Sequence, residues 1–216
     1  MNIEQARFNM IEQQIRPWDV LDKGVLGLLA VIKREDFVPA AYRSMAFMDM
    51  EIPLPEGERM LPPRVEARLL QDLQVQRHER VLEVGTGSGF MAALLGHRAQ
   101  SVVTLEIRPA LAKLAQDNLR RSGASNVTVM QADGAHGLPA EAPFDCIMLS
   151  GSVAKVPAEL LDQLKPGGRL VAIEGGDPIM EAVRYTRGPN GIERLALFDV
   201  NAPRLVNFPE PPRFHF

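Results

Sequence analysis

Apolar positions along this chain follow two rhythms. Short apolar runs, most of them rich in β-branched residues, recur at 81–84, 101–105, 127–130, 144–149 and 169–173. These predict five buried strands. Between them lie stretches with helical spacing. Met91-Ala92-Ala93-Leu94-Leu95 is made of good helix formers. Pro109 opens a second helix through Leu111, Leu114, Ala115 and Leu119, which Gly123 and Asn126 close. A third spans 156–164. Lys165-Pro166-Gly167-Gly168, Gly175-Gly176 and Gly188-Pro189-Asn190-Gly191 read as turns, the last as a hairpin tip leading to a late strand at 195–200. Repeated strand–helix units followed by an antiparallel end predict an α/β fold: a mostly parallel sheet with helices on both faces.

The first 76 residues have a different pattern. Ile3, Ala6, Met10 and Ile15 are helically spaced, and Pro17 is expected to stop that run. Asp19 or Asp22 could cap a second helix through Val25, Leu26, Leu28, Leu29 and Val31-Ile32. Residues 45–63 mix Met45, Met48, Met50 and Met60 with four prolines and read as an irregular loop, a candidate active-site wall. Residues 64–73 suggest a surface helix. The tail, with Pro203, Pro209, Pro211 and Pro212, is expected to run along the surface. Trp18 is expected to anchor the N-terminal arm.

The candidate chemistry sits where strands end. The run Glu83-Val84-Gly85-Thr86-Gly87-Ser88-Gly89-Phe90 passes from strand through a glycine loop into helix. Such a loop brings main-chain N–H groups and a helix N-terminus to a ligand. A dinucleotide motif needs glycine at position 90, which is Phe90. Glu83, two residues before the first glycine, suits a ligand carrying an ammonium group, as S-adenosylmethionine does. Glu106 ends the next strand, where a carboxylate can accept from ribose hydroxyls. Asp133-Gly134 follows the third; its aspartate either receives an adenine amino group or shapes a turn. Asp145, at a strand start, reads as structural.

Composition narrows the alternatives. The chain has 216 residues, 46% of them apolar, a net charge of -3 and a pI near 5.9. These values describe a folded domain and argue against a general nucleic-acid binder. With Cys146 alone there is no internal disulfide. No apolar run reaches membrane-spanning length, and the first residues lack a basic-then-apolar leader. A cytoplasmic setting is expected, with neither nucleic acid nor membrane as partner. His78, His97, His136 and His215 show no metal-ligand or triad spacing, so no metal is expected. Cys146 reads as a core residue.

In this order the motifs resemble a class I S-adenosylmethionine-dependent methyltransferase, with its Rossmann-like fold. More narrowly the chain is similar to the protein-L-isoaspartate O-methyltransferase family over most of its length. The stretches that carry the likeness are Met10 to Ile15, Arg34-Glu35-Asp36-Phe37-Val38-Pro39, Ile52-Pro53-Leu54, Leu82 to Phe90, Asp133-Gly134 and Ala142-Pro143-Phe144-Asp145. The resemblance implies a helical extension and active-site loop over 1–76, then a methyltransferase core with its tail over 77–216. It implies a cofactor held by Glu83, Gly85, Thr86, Gly87, Ser88, Gly89, Glu106, Ile107, Asp133 and Gly134. It implies a protein or peptide substrate with a free carboxylate, entering beside Leu61, Pro62, Ser150 and Gly151. Where the family usually carries Gly-x-Thr-Ile-Ser, this chain reads Gly57-Glu58-Arg59-Met60-Leu61, and leucine can neither donate nor accept a hydrogen bond. An enzyme with another acceptor, or a non-catalytic binder of the same cofactor, fits these residues as alternatives.

Overall fold

The computed structural model describes residues 2–210; Pro211, Pro212 and His215 lie outside them. The first helix, α1 (Ile3–Met10), is capped by Asn2, whose side chain accepts from the Gln5 N–H. The helical path then continues through a π-helical turn at Ile11–Ile15 and a 3-10 turn at Arg16–Trp18. Pro17 therefore lies inside the path it was expected to stop. It stands at the start of the 3-10 turn, where a missing N–H costs little. Asp19, at φ 58°, ends the run. Of the two possible caps for α2 (Lys23–Val31), Asp22 is the one used, accepting from Gly24 at 2.7 Å and Val25 at 3.1 Å.

The expected irregular loop contains a small hairpin. Ile52–Pro53 (β1) pairs antiparallel with Arg59–Met60 (β2), and Pro53 stands opposite Arg59. Strand alternation buries Met60 and leaves Arg59 exposed. The following helix, α3 (Pro63–Leu73), is not a surface helix: it buries seven residues, Glu66 among them. The misreading came from its polar residues, several of which have partners inside.

Seven strands make the main sheet: β3 (Arg80–Val84), β4 (Ser101–Glu106), β5 (Val127–Gln131), β6 (Phe144–Val153), β7 (Leu164–Gly176), β8 (Ile179–Gly188) and β9 (Gly191–Asp199). Their order is β5-β4-β3-β6-β7-β8-β9. The first five are parallel and the last two antiparallel. Helices α4 (Phe90–Arg98), α5 (Pro109–Ser122) and α6 (Ala158–Asp162) connect the parallel strands.

Several boundaries differ from expectation. Strand β8 was not predicted, because Glu181, Arg184 and Arg187 interrupt its apolar pattern. Residues 165–168 form a register shift inside β7, and the turn expected at Gly175-Gly176 falls two residues later. Helix α6 is shorter than the expected 156–164 because Pro157 caps it and Leu164 already pairs with Phe144. Gly123 closes α5 in the left-handed conformation, whereas Asn126 donates to the carbonyls of Gly96 and Ala99 and so finishes α4.

Alternation along the strands divides the core into two layers. Val81, Cys146, Met148 and Val171 face α3, α4 and α5, and the same cluster takes in Met10, Leu29 and Phe37 from the N-terminal segment. Leu82, Ile147, Leu149 and Ala172 face α6 and Phe208 of the tail. Trp18 meets Phe198 edge to face at 5.8 Å, with the Arg64 guanidinium 4.1 Å from its ring centroid. Asp145 is structural as expected, accepting from the Arg80 N–H and Lys165 Nζ, both at 2.8 Å.

One buried cation ties the N-terminal segment to the core. Arg34 is 1% exposed. It pairs with Glu66, donates from Nη2 to the Leu61 carbonyl at 2.8 Å and from Nε to the Ala46 carbonyl at 3.1 Å. Its guanidinium lies 5.0 Å from the Phe90 ring centroid. Removing one member of a buried pair strands the other charge. Arg34→Ala is expected to lower the unfolding free energy in urea by about 3–5 kcal/mol, and adding Glu66→Gln to restore part of it. Equal losses in the single and double variants would show that the stranded carboxylate is not the cause.

Candidate functional site

The strand order reverses direction beside β3, since β4 and β5 lie on one side of it and β6 and β7 on the other. Open α/β sheets bind ligands outside the strand C-termini at such a point. A cleft of about 650 Å³ opens there. Gly85 and Gly87 line it from the loop after β3, Glu106 and Ile107 from β4, Asp133 and Gly134 after β5, and Ser150 and Gly151 from β6. A smaller inner recess, about 330 Å³, is lined by Leu61, Glu66, Glu83, Thr86 and Ser88 and shares Leu54, Arg59 and Ser150 with the cleft.

The glycine loop takes its shape for identifiable reasons. Gly89 caps α4 at φ 85° and lies against α5, where a Cβ would come within 3.3 Å of Ala115 and Leu119. Across the cleft, a Cβ on Gly134 would stand 2.3 Å from Val84 Cγ1, so only glycine lets that segment cross the end of β3. Glu106 fastens the loop. Its Oε2 accepts from the Gly87 N–H at 2.9 Å and its Oε1 from the Arg108 N–H at 3.0 Å. Each carboxylate oxygen keeps further acceptor capacity.

Glu83 is fully buried. Ser150 Oγ donates to one of its oxygens and Thr104 Oγ1 to the other, both at 2.7 Å, and Thr86 Oγ1 lies 2.6 Å from Thr104 Oγ1. Burial pushes its pKa up to about 8; the two hydroxyls pull it back, and the carboxylates of Glu66 and Glu106 push it further up. Burial also raises Glu66, against the pull of Arg34. A cation entering the recess would favour the ionised form of both.

Asp133 shapes the turn and also lines the cleft. Its Oδ1 accepts from the Ala135 N–H at 2.9 Å, which shapes the turn, while the residue lines the cleft and its Oδ2 accepts from Asn207 Nδ2 at 2.7 Å. Asn207 belongs to the tail, which is a cleft wall and not a surface run. The Ser152 N–H donates to the Pro203 carbonyl at 2.7 Å, the Leu205 N–H to the Ser152 carbonyl at 2.9 Å, and Phe208 is buried. Opposite, Arg108 Nη2 reaches Glu58 at 2.5 Å and ties the β1–β2 hairpin to the start of α5.

Most of the expected residues meet here. Gly85, Gly87, Glu106, Ile107, Asp133, Gly134, Ser150 and Gly151 line the cleft, and Glu83, Thr86, Ser88 and Leu61 the recess. Gly89 and Pro62 line neither: one packs against α5 and the other caps α3. Leu54 and Arg59 belong to the 45–63 loop expected as a wall, without having been singled out; sequence reasoning missed Glu66, Arg108, Leu205 and Phe208. The alternation of Arg59 with Met60 was a usable signal; nothing local marks Leu205 or Phe208. Among the described residues no three His, Cys, Asp or Glu gather as metal ligands, and no helix is long and apolar enough to cross a membrane. His136 pairs with Glu159 on the surface, His97 Nδ1 lies 3.0 Å from the Ala93 carbonyl, and Cys146 is buried.

A family model described as protein-L-isoaspartate(D-aspartate) O-methyltransferase matches residues 5–191. Protein-L-isoaspartate O-methyltransferase 1 of Syntrophobacter fumaroxidans is 37% identical, covering 95% of this chain and 96% of its own length. The Koribacter versatilis protein-L-isoaspartate O-methyltransferase is 40% identical, covering 93% and 90%. Among solved structures, a protein-L-isoaspartate O-methyltransferase from Plasmodium falciparum in complex with S-adenosyl-L-homocysteine superposes with a TM-score of 0.78 at 21% identity, over 95% of this chain and 98% of that one. At that identity the likeness is one of fold: the class I methyltransferase fold expected from the sequence. The chain belongs to the protein-L-isoaspartate O-methyltransferase family.

The raised Glu83 pKa has a measurable consequence. The folded state holds this proton at pH values where the unfolded chain, with an ordinary glutamate pKa of about 4.3, has released it. The contribution of Glu83 to stability therefore falls as pH rises from about 4.5 to about 8. In urea titrations across that range, Glu83→Gln is expected to gain on the wild type as pH increases. A difference that stays constant with pH would refute the assignment.

Proposed function

We propose that the cleft holds S-adenosylmethionine and that the chain methylates the free carboxylate of an isoaspartyl residue in a damaged protein or peptide. The observation that carries this reading is convergence: the glycine loop, Glu106 and Asp133 come from three strand ends and line one cleft. The fit to the cofactor rests on the cavity itself. Glu106 retains acceptor capacity toward two ribose hydroxyls. Asp133 and Gly134 flank the place for an adenine, with Ile107 beside them. Glu83, Thr86 and Ser88 form an acidic, hydroxyl-lined recess for an ammonium group. When bound, S-adenosylmethionine supplies a methyl group activated by a sulfonium.

The chain's own task is then mostly positional. A carboxylate acceptor is ionised at neutral pH, so no general base is required. No histidine or cysteine lines either cavity among the described residues. Holding two reactants in line can contribute about 7–11 kcal/mol. The hairpin, tied down by Arg108, and the tail, pinned at Ser152, exclude water from either side. Arg34 holds the Leu61 carbonyl and so fixes the segment that faces the acceptor. A cytoplasmic setting belongs to the same reading, supported by a lone, buried cysteine.

Leu61 favours a second reading, in which the acceptor carboxylate belongs to a group with an apolar flank. Leu61 is 5% exposed and lines the recess without hydrogen-bonding capacity. The neighbouring Ser150 hydroxyl is already committed to Glu83.

Wild-type protein with an isoaspartyl peptide is expected to form a base-labile methyl ester, read as released methanol. Cofactor binding without ester would remove the isoaspartyl reading and leave the second standing. Glu106→Ala is expected to weaken S-adenosylmethionine binding at least about tenfold by calorimetry, the scale of one lost charge-assisted hydrogen bond. Unchanged affinity would remove Glu106 from the site. Leu61→Ser is expected to raise kcat/KM for the isoaspartyl peptide; a fall would mean that the apolar wall suits the acceptor.

A further inference from the structure

The acceptor side of the cleft poses an electrostatic problem. An incoming carboxylate approaches a recess that already contains Glu66 and Glu83. Glu66 has Arg34 as its partner, but that guanidinium is 1% exposed and fully engaged with Glu66 and two carbonyls. Neither these carboxyl groups nor the committed Arg34 offers the acceptor carboxylate a cationic partner.

Three other arginines border the cleft. Arg108 is held by Glu58 at 2.5 Å and Glu56 at 3.6 Å. Arg204 donates to the Gly175 carbonyl at 2.7 Å and pairs with Glu210 at 2.9 Å. Arg59 is different. It is 61% exposed, and its one ion pair among the described residues, with Glu51, is 3.2 Å long. It lines both the cleft and the recess, and among the described residues it is the only basic side chain lining the recess. Its backbone is fixed by the pairing of β2 with β1, and Met60 anchors the strand beneath it. Arginine on a fixed strand offers a planar fork suited to a carboxylate.

We propose that Arg59 is the residue that recognises the acceptor carboxylate, gripping the oxygen that does not react and exchanging Glu51 for the substrate. The inference rests on the carboxyl-methylation reading above. As the reacting oxygen gains its bond to the methyl carbon, the carbon–sulfur bond breaks and its electron pair stays on sulfur. The carboxylate becomes a neutral ester. Arg59 therefore holds the substrate more strongly than the transition state or the product. Its loss therefore raises KM and does not lower kcat. Release of the ester follows from the same loss of charge.

The test crosses the protein with its substrate. Wild type, Arg59→Gln and Arg59→Lys, each saturated with S-adenosylhomocysteine, are titrated by calorimetry with an isoaspartyl peptide and with the same peptide carrying an amide in place of the free carboxylate. Wild type is expected to bind the carboxylate form at least tenfold tighter than the amide. Arg59→Gln is expected to bind both within about threefold of each other, and Arg59→Lys to recover part of the preference. In turnover, Arg59→Gln is expected to raise KM at least tenfold with kcat changed by less than threefold. Full discrimination retained in Arg59→Gln, with methylation intact, overturns the role of Arg59 alone. A wild type that neither binds nor methylates the isoaspartyl peptide overturns the carboxyl-methylation reading, and this inference with it.

Discussion

The ligand cleft depends on two backbone N–H groups converging on one carboxylate. Glu106 ends β4, yet its oxygens accept from Gly87 in the loop after β3 and from Arg108 at the entry to α5. Two connections on neighbouring strands are thereby held in one geometry. The glycines permit the bend, but a flexible loop alone would have no fixed shape. Charge-assisted hydrogen bonds of this kind are about twice as strong as neutral ones, and here they fix the loop without consuming all of the carboxylate's acceptor capacity. The same group can organise the loop and still meet a ligand.

Behind that loop lies a deliberate imbalance of charge. Glu83 and Glu66 are buried beside the recess, one satisfied by hydroxyls and the other by Arg34. Buried carboxylates favour a cationic visitor and disfavour an anionic one. A cation at the mouth helps a site that attracts a sulfonium nucleoside to accept a carboxylate as well. The fold supplies several arginines there, of which two are tied into the walls and one is loosely held.

The N-terminal 76 residues take part in this arrangement and are not an appendage to it. Arg34 reaches the recess wall through the Leu61 carbonyl, and Met10, Leu29 and Phe37 lie in the same apolar cluster as Val81 and Met148. The walls that close the cleft come from segments far apart in the chain, the 52–60 hairpin on one side and the 202–208 tail on the other. The tail also packs on the glycine loop: a Cβ on Gly85 would stand 2.8 Å from Leu205 Cδ2.

The sequence by itself determined the parallel core and the strand ends that meet at the cleft. Those features are encoded locally: an apolar run, a glycine loop, a helix and an acidic strand end fall within a few residues of each other, and backbone sterics make each pattern nearly self-sufficient. Where local signals competed, the sequence was ambiguous or misleading. Pro17 reads as a helix stop yet starts a 3-10 turn, and the charged residues of β8 conceal a strand that its neighbours on both sides stabilise. Only the tertiary structure decided that Glu66 is buried, that Arg34 answers it, that the tail forms a wall and that Arg59 is loosely held at the mouth. The first three depend on groups between about 27 and 120 residues apart in the chain. Burial and charge pairing are properties of what surrounds a residue in space, and no local spacing records them.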